Sequence, residues 1–325
     1  MSKPRRTSVG ISTLDVDWLI NVNDLEFISV LREQDNVTIY KAYWRKYQIV
    51  CVKKVVVTKE NVKLVEREID ILSKCIHPMI CQYFGTGILD SEVYMLFEYM
   101  EKGNLEDYMK LNPLSIEQQN HILTSILIGM NYLSSRHPEK ILHRDFKPTN
   151  ILVNKHGEVK ICDFGVSKQL FNDAGKMKKS VSHNMLMSHS LQSSDNSHTG
   201  IGTLRWAAPE IILDEDLPYD ERCDIYSFGL LAFFVVTNGV VPYFDEYKNN
   251  LAQIAFAKSA HKRPFLSHHR LEYYPKMLDM VTKCTEKDPS LRPKDANSIL
   301  FEFFSDFMAI KDTSLRYEQI EPASV

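Results

Sequence analysis

The spacing of apolar residues changes near Gly103, and this change limits the folds open to the chain. Before it, short runs rich in β-branched and aromatic residues predict strands: EFISVL, TIYKAYW, QIVCVKKVVV and EVYMLFEYM. Residues 59–75, among these runs, have helical spacing. After Gly103 helical spacing dominates, over residues 115–135, 223–237, 249–258, 273–285 and 295–308, with a short strand predicted at 158–164. The sequence therefore predicts an α+β fold with two lobes: a small antiparallel β-sheet with one helix, then a larger, mainly helical lobe.

The domain boundaries follow from the same change. We expect a polar arm at residues 1–20, the small lobe at 21–100, the large lobe at 101–310 and a tail at 311–325. Residues 170–200 are rich in Ser, His and Asn and have little periodicity, which is typical of a mobile insertion.

The composition excludes several classes of function. The 325 residues include 39 basic and 42 acidic side chains, so no overall field attracts nucleic acid or an acidic membrane. The longest apolar run, at 230–236, is too short to span a bilayer. Six cysteines without a C-x-x-C pair indicate free thiols in a reducing compartment. We therefore expect a soluble, cytoplasmic protein with no membrane span and no nucleic-acid partner.

Two polar motifs in the large lobe give the strongest chemical signal. ILHRDFKPTNILV spans residues 141–153, and ICDFGVSK spans residues 161–168. With a strand lysine and a helix glutamate before them, and AAPE after them, these motifs form an ordered set. The set resembles the catalytic loop, the metal-binding Asp-Phe-Gly triplet and the activation-segment end of the eukaryotic protein kinases. The resemblance covers roughly residues 22–310 and implies the two-lobed protein kinase fold.

The resemblance implies a role for each polar residue of the two motifs. Asp145 would accept the proton of the substrate hydroxyl, and Lys147 would reach the migrating γ-phosphoryl group. Asn150 and Asp163 would bind Mg²⁺, which prefers oxygen ligands. Asp145, Lys147 and Asn150 are thus the expected catalytic residues, and ATP and Mg²⁺ the expected cofactors.

Lys53, in the run VCVKK, resembles the family's strand lysine, which holds the α- and β-phosphates of ATP. A lysine that faces inward from a strand needs a partner, and the resemblance assigns that role to Glu68. Lys54 points to the opposite face of the strand. The other residues expected around the nucleotide are Leu31, Ile39, Cys51, Phe97 at the gatekeeper position, Glu98 and Met100 in the hinge, and Leu152.

Two further pairings implied by the resemblance would hold the large lobe together. Glu210 would form a structural ion pair with Arg292. Asp224 would anchor the backbone of the catalytic loop.

Arg144 suggests regulation, since in the family such an arginine binds a phosphate on the activation segment. An upstream kinase is therefore an expected partner. The segment runs from Asp163 to Glu210, and the candidate acceptors in it are Ser180, Ser182, Ser188, Ser190, Ser193, Ser194, Ser197 and Thr199.

The acceptor of the phosphoryl group is expected to be a protein serine or threonine. Lys147 and Thr203 match the serine/threonine pattern of the family. RWAAPE and the opening DLEFISVL resemble the tyrosine-kinase-like group, with its Raf and mixed-lineage relatives. VKICDFGVSKQL is also similar to the MAP-kinase kinases, so dual specificity stays open.

The stretch LREQDNVTIY departs from the family. The phosphate-covering loop of protein kinases is Gly-x-Gly-x-x-Gly-x-Val, and its positions fall here on Arg32, Gln34, Val37 and Ile39. All three glycines are missing, although only glycine lets backbone N–H groups approach the phosphates closely. Two hypotheses follow: an active kinase with weakened ATP binding, or a pseudokinase that serves as a binding or scaffold module.

Overall fold

The computed structural model describes residues 19–171, 204–213, 220–264 and 275–305. The small lobe is one antiparallel sheet in the strand order β1-β2-β3-β5-β4. Its strands are β1 (Leu25–Gln34), β2 (Val37–Trp44), β3 (Gln48–Val56), β4 (Tyr83–Leu89) and β5 (Glu92–Glu98). Helix α1 (Val62–Lys74) connects β3 to β4. The predicted small lobe, with one sheet and one helix, is confirmed.

Alternation along β3 decides which side chains reach the cleft between the lobes. Val50 and Val52 are buried in a small core on one face of the sheet, with Ala42, Tyr94 and Leu96. Successive residues of a strand point to opposite faces, so Cys51 and Lys53 project from the other face. The strand thus places the two adjacent lysines of its sequence in different environments.

The large lobe is mainly helical, as predicted. Its helices are α2 (Leu105–Leu111), α3 (Ile116–Ser135), α4 (Pro209–Leu213), α5 (Arg222–Val236), α6 (Phe244–Tyr247), α7 (Leu251–Ser259), α8 (Pro275–Cys284) and α9 (296–305). Every residue of α5 from Cys223 to Val236 is buried, so this helix is the centre of the lobe. Helix α3 begins with a capping box in which Ser115 and Gln118 cap each other's backbone. None of the helices in the described ranges is long and apolar enough to cross a membrane.

Two short two-stranded sheets hold the polar motifs. Strands β6 (Glu139–Leu142) and β9 (Lys168–Phe171) pair with each other, as do β7 (Ile151–Val153) and β8 (Val159–Ile161). The first motif therefore lies in the loop between β6 and β7, and the second in the loop between β8 and β9. The strand predicted at 158–164 is only three residues long, because the chain turns at Asp163, whose φ is 64°.

Several sequence predictions fall outside the described residues. Most of the arm at 1–20 and of the insertion at 170–200, and the whole tail at 311–325, lie there. So do Thr203 and all the candidate phosphorylation sites. The boundaries of the lobes stay predictions.

Candidate active site

Lys53, Glu68 and Asp163 come together from three separate elements. Strand β3 supplies the lysine, α1 the glutamate and the loop after β8 the aspartate. The Nζ of Lys53 lies 2.6 Å from Oε1 of Glu68 and 3.3 Å from Oδ1 of Asp163. Glu68 is buried on the inner face of α1, next to Ile69 and Leu72. The partner that the sequence suggested for Lys53 is therefore in ion-pair contact with it.

The charges of this cluster stabilise one another. Burial alone would lower the pKa of Lys53, but the carboxylates of Asp163 and Glu68 outweigh it and raise the pKa. The ammonium of Lys53, helped by Lys147, holds the pKa of Asp163 below its usual value. Both groups therefore stay charged at neutral pH. Lys54 takes no part, because its Nζ pairs with Glu92 on the other face, at 3.0 Å.

Asp145 is the centre of a second cluster, in the loop after β6. Its Oδ2 lies 2.7 Å from Nζ of Lys147 and accepts a hydrogen bond of 2.7 Å from Nδ2 of Asn150. The same Nδ2 donates to the backbone carbonyl of Asp145. The three residues predicted as catalytic are therefore in direct contact, and the carboxylate of Asp145 is held in one orientation.

Helix α5 fixes the backbone of this loop through Asp224. The buried carboxylate of Asp224 accepts hydrogen bonds from the N–H groups of His143, at 2.8 Å, and Arg144, at 2.7 Å. Burial raises the pKa of Asp224. Nε2 of His143 lies 3.0 Å from the carbonyl oxygen of Cys162, and this contact ties the loop to the second motif. These bonds hold Arg144 at a φ of 65°, a strained backbone conformation for a residue with a side chain.

The oxygen atoms at the base of the cleft fit a magnesium ion. Oδ1 of Asp145 is buried without a hydrogen-bond partner. Asn150 uses its amide nitrogen in the bonds given above, and the side chain of Asp163 is 46% exposed. No cluster of three or more His, Cys, Asp or Glu suited to a metal occurs in the part of the chain that the structure describes. Few protein ligands are typical of Mg²⁺ sites that also use phosphate oxygens and water.

Four of the predicted nucleotide-site residues share one face of the sheet. Ile39 lies opposite Lys53 across β2 and β3, and Cys51 lies opposite Phe97 across β3 and β5. Directly opposed residues project to the same side, as do residues two apart in a strand. Burial raises the pKa of the Cys51 thiol to about 11, so this group is a packing surface and a poor nucleophile.

The other predicted contacts surround this face. Leu31 lies at an irregularity of the β1–β2 pairing and is 47% exposed. Met100 is buried beyond the end of β5, and its carbonyl oxygen accepts a hydrogen bond from the N–H of Gly103. Leu152, on β7, is half-buried and lies opposite Lys160. These three residues thus belong to the small lobe, the hinge and the large lobe respectively.

Glu98 has a contact that sequence reasoning missed. Its carboxylate accepts hydrogen bonds from Nζ of Lys160, at 2.7 and 2.8 Å, and from the N–H of Gln82, at 2.6 Å. The hinge end of β5 is therefore joined to β8 of the large lobe by an ion pair. A lysine and a glutamate 62 residues apart give no local signal of such a contact.

The hairpin of residues 31–40, which we call the cover hairpin, pairs without interruption from Arg32 and Ile39 to its turn, despite its missing glycines. Gln34 lies opposite Val37, so only Asp35 and Asn36 form the turn. The carbonyl of Asn36 accepts a hydrogen bond from the N–H of Val56, which holds the turn against the end of β3. Eight of the ten residues of β1 are exposed.

Away from the cleft, Glu210 and Arg292 form the expected ion pair. Two nearly parallel contacts join the guanidinium and the carboxylate, at 2.5 and 2.8 Å, and the side chain of Arg292 is fully buried. The guanidinium of Arg144 donates to the backbone carbonyl of Val166. The acceptors that would bring a phosphate to Arg144 lie outside the described residues.

Comparison with known proteins agrees with this geometry. Residues 35–304 match the family model described as the protein kinase domain. The chain is 32% identical over 246 residues to the serine/threonine-protein kinase dst1 of Dictyostelium discoideum, covering 75% of this chain and 29% of that protein. It is 29% identical over 245 residues to the serine/threonine-protein kinase STY17 of Arabidopsis thaliana, covering 75% of this chain and 37% of the relative.

The similarity is thus confined to one part of each relative. A third match, the serine/threonine-protein kinase pakG of Dictyostelium discoideum, is 29% identical over 287 residues, or 88% of this chain and 21% of pakG. The chain therefore spans between a fifth and two fifths of the length of these relatives. Since the family model matches most of the sequence and the expected ion pairs are in place, the chain belongs to the protein kinase family.

Proposed function

We propose that this chain is an ATP-dependent protein serine/threonine kinase that transfers the γ-phosphoryl group of ATP to a protein hydroxyl. The proposal rests on one observation: Lys53 contacts both Glu68, on α1 of the small lobe, and Asp163, in the loop after β8 of the large lobe. In protein kinases this lysine–glutamate pair and the aspartate must both be in place for transfer. The three relatives described above are serine/threonine-protein kinases, which supports the same activity.

The proposed mechanism divides the work between the two clusters. Lys53, held by Glu68, binds the α- and β-phosphates and keeps ATP in one position. Asn150 and Asp163 would hold Mg²⁺, which supplies neutralisation of phosphate charge when bound. Asp145 accepts a hydrogen bond from the acceptor hydroxyl and takes its proton, and its contacts with Lys147 and Asn150 hold the carboxylate in place for that step.

Lys147 completes the proposed mechanism. Its ammonium lies 2.7 Å from Oδ2 of Asp145, so it stands beside the position of the incoming hydroxyl. There it stabilises negative charge on the phosphoryl oxygens as transfer proceeds. The hydrogen bonds that Asp224 accepts from the loop backbone hold these side chains in position. The loop therefore does not have to be ordered again in each reaction cycle.

The proposal that the acceptor is a serine or threonine hydroxyl is also based on the loop after β6. Lys147 is the residue that the serine/threonine pattern places there, and the names of the relatives agree with it. Membership of the tyrosine-kinase-like group is part of the proposal and rests on RWAAPE and the opening strands. Tyrosine acceptors remain an alternative, because the second motif is also similar to the MAP-kinase kinases.

A transfer assay with model peptides tests the proposal. We expect Mg²⁺-dependent phosphorylation of serine or threonine peptides, and a loss of about a thousandfold in kcat for Asp145→Asn, which keeps the shape but not the base. Asp107→Asn, at the exposed start of α2, is the matched control and should behave as wild type. Transfer that is absent at millimolar ATP, or equal in Asp145→Asn, would contradict the proposal. Tyrosine peptides in the same assay decide on dual specificity.

A second candidate, a pseudokinase that acts as a binding module, is favoured by one observation. The cover hairpin carries side chains at all three glycine positions, Arg32, Gln34 and Val37, where backbone would otherwise meet phosphate. The thermal shift caused by ATP, with and without Mg²⁺, separates the two candidates. A kinase with weak ATP binding shows a shift at millimolar ATP that requires Mg²⁺, whereas an occluded site shows none.

The expected partners follow from this activity. ATP and a protein substrate are the reactants, and an upstream kinase acting on the activation segment is the proposed regulator. The six cysteines are free thiols, which supports a reducing compartment such as the cytoplasm.

A further inference from the structure

Lys258 is a buried lysine that none of the proposed roles uses. It lies near the end of α7, and only 2% of its surface is exposed. Its ammonium donates hydrogen bonds to the backbone carbonyl oxygens of Leu204, at 3.1 Å, and Ala207. The ring centroids of Tyr226 and Tyr243 lie 5.2 and 5.6 Å from its Nζ. Lys258 therefore joins α7 to a stretch of backbone far away in sequence.

That stretch, residues 204–208, is fixed at three points; we call it the anchored segment. Lys258 binds its backbone from α7. At its C-terminal side it runs into α4, where Glu210 pairs with Arg292. Its own Arg205, only 4% exposed, donates to the backbone carbonyls of Pro242 and Lys248 and to the side chain of Asn249.

The anchored segment and the catalytic loop are connected to the same end of α5. Helix α4, which follows it, and the loop that carries Asp145 are both attached to the start of α5. Arg292 also donates to the carbonyl of Arg222, and Asp224 accepts from the loop. The proposed ATP site lies where Lys53 meets Glu68 and Asp163, on the small-lobe side of the cleft. A protein substrate that brings its hydroxyl to Asp145 is therefore expected to approach along the large lobe, to which the anchored segment belongs.

Burial of a lysine in this position is unfavourable, because a charged group is removed from water. Burial, together with the nearby charges of Arg205 and Arg292, lowers the pKa of Lys258 well below its usual value, although Glu210 opposes this. A methionine would occupy a similar volume without removing a charged group from water. What the ammonium adds is a fixed distance between α7 and two carbonyl groups of the anchored segment.

We propose that Lys258 is a positioning residue for the protein substrate. It holds the backbone of the anchored segment in the shape that receives the polypeptide beside the acceptor hydroxyl. The inference rests on the proposed kinase function. It gives Lys258 no contact with ATP and no part in the transfer step.

Lys258→Met tests this role through the Michaelis constants. We expect the KM for a serine-containing model peptide to rise about tenfold, or about 1.4 kcal/mol. The KM for ATP and the thermal shift caused by Mg-ATP should stay at their wild-type values. Lys262→Met, an exposed lysine beyond the same helix, is the control and should change neither constant. A merely structural role would reduce the fraction of active protein, so kcat would fall with both KM values unchanged; that result overturns the inference.

Hydrogen exchange tests the same role without catalysis. The amides of residues 204–208 should exchange faster in Lys258→Met than in wild type or in Lys262→Met, because two tethers of that backbone are gone. Equal exchange in all three proteins would overturn the inference. If wild type transfers no phosphate to any peptide, the proposed kinase function fails, and with it the role of Lys258 toward a substrate; exchange then decides only whether Lys258 holds the anchored segment.

Discussion

The two sides of the proposed nucleotide site are built in different ways. The catalytic loop is buried, and Asp224, Asn150 and His143 fix it by hydrogen bonds. The cover hairpin is largely exposed on β1 and has a two-residue turn without glycine. The side chains proposed to act on the transferred group lie on the fixed side, and the backbone proposed to cover the phosphates lies on the exposed side. Transfer chemistry and ATP affinity are thus expected to respond to different substitutions.

Among the substitutions that test this comparison, removal of the Lys53 ammonium should have the largest effect, because Lys53 connects the two sides. Lys53→Met leaves the carboxylate of Glu68 buried without its cation and Asp163 without its nearest positive charge. We expect kcat/KM for ATP to fall at least about a hundredfold, and the free energy of unfolding to fall as well. Steady-state kinetics and chemical denaturation measure the two effects. Wild-type kinetics in this variant would show that the ion pair is not part of the site.

Glycines in the cover hairpin should have an intermediate effect, confined to ATP affinity. With glycine at positions 32, 34 and 37, we expect the KM for ATP to fall about fivefold, or about 1 kcal/mol, at unchanged kcat. The hairpin should also lose stability, by about 0.5–1 kcal/mol for each glycine in a strand. Alanines at the same positions are the matched control, since they remove bulk but still keep the backbone from a close approach. An equal gain with alanine would mean that side-chain crowding, and not backbone access, limits binding.

Lys54→Met should have the smallest effect, which makes it the control for Lys53. Lys54 is the next residue of β3, but its ion pair with Glu92 lies on the other face of the sheet and is partly exposed. We expect the free energy of unfolding to fall by less than about 1 kcal/mol, and both kinetic constants to stay at wild-type values. A change in the KM for ATP comparable to that of Lys53→Met would contradict the assignment of faces.

The sequence predicted the parts of the fold and site that depend on local patterns. Alternation in β3 separated Lys53 from Lys54. The family resemblance assigned Glu68, which lies on the inner face of α1, as the partner of Lys53. Strand β4 was missed because Gly85 and Gly87 interrupt the β-rich pattern that marks the other strands of the sheet.

No local pattern in the sequence predicts the contacts between residues that are far apart in the chain. Lys258 follows the apolar run LAQIAFA, so in the sequence it resembles a basic residue at an exposed helix end. Only the packing of α7 against the anchored segment buries it. The same holds for Arg205, whose partners lie about forty residues away in the chain.

The bond between Glu98 and Lys160 has a consequence for turnover. A nucleotide held between two lobes leaves when they move apart, and here β5 cannot separate from β8 without breaking an ion pair. Dissolved ions weaken such a pair, since neither side chain is fully buried. If the chain has the proposed kinase activity, we therefore expect the rate at which ADP leaves to depend on ionic strength, even though the link lies outside both clusters that are proposed to carry out the transfer.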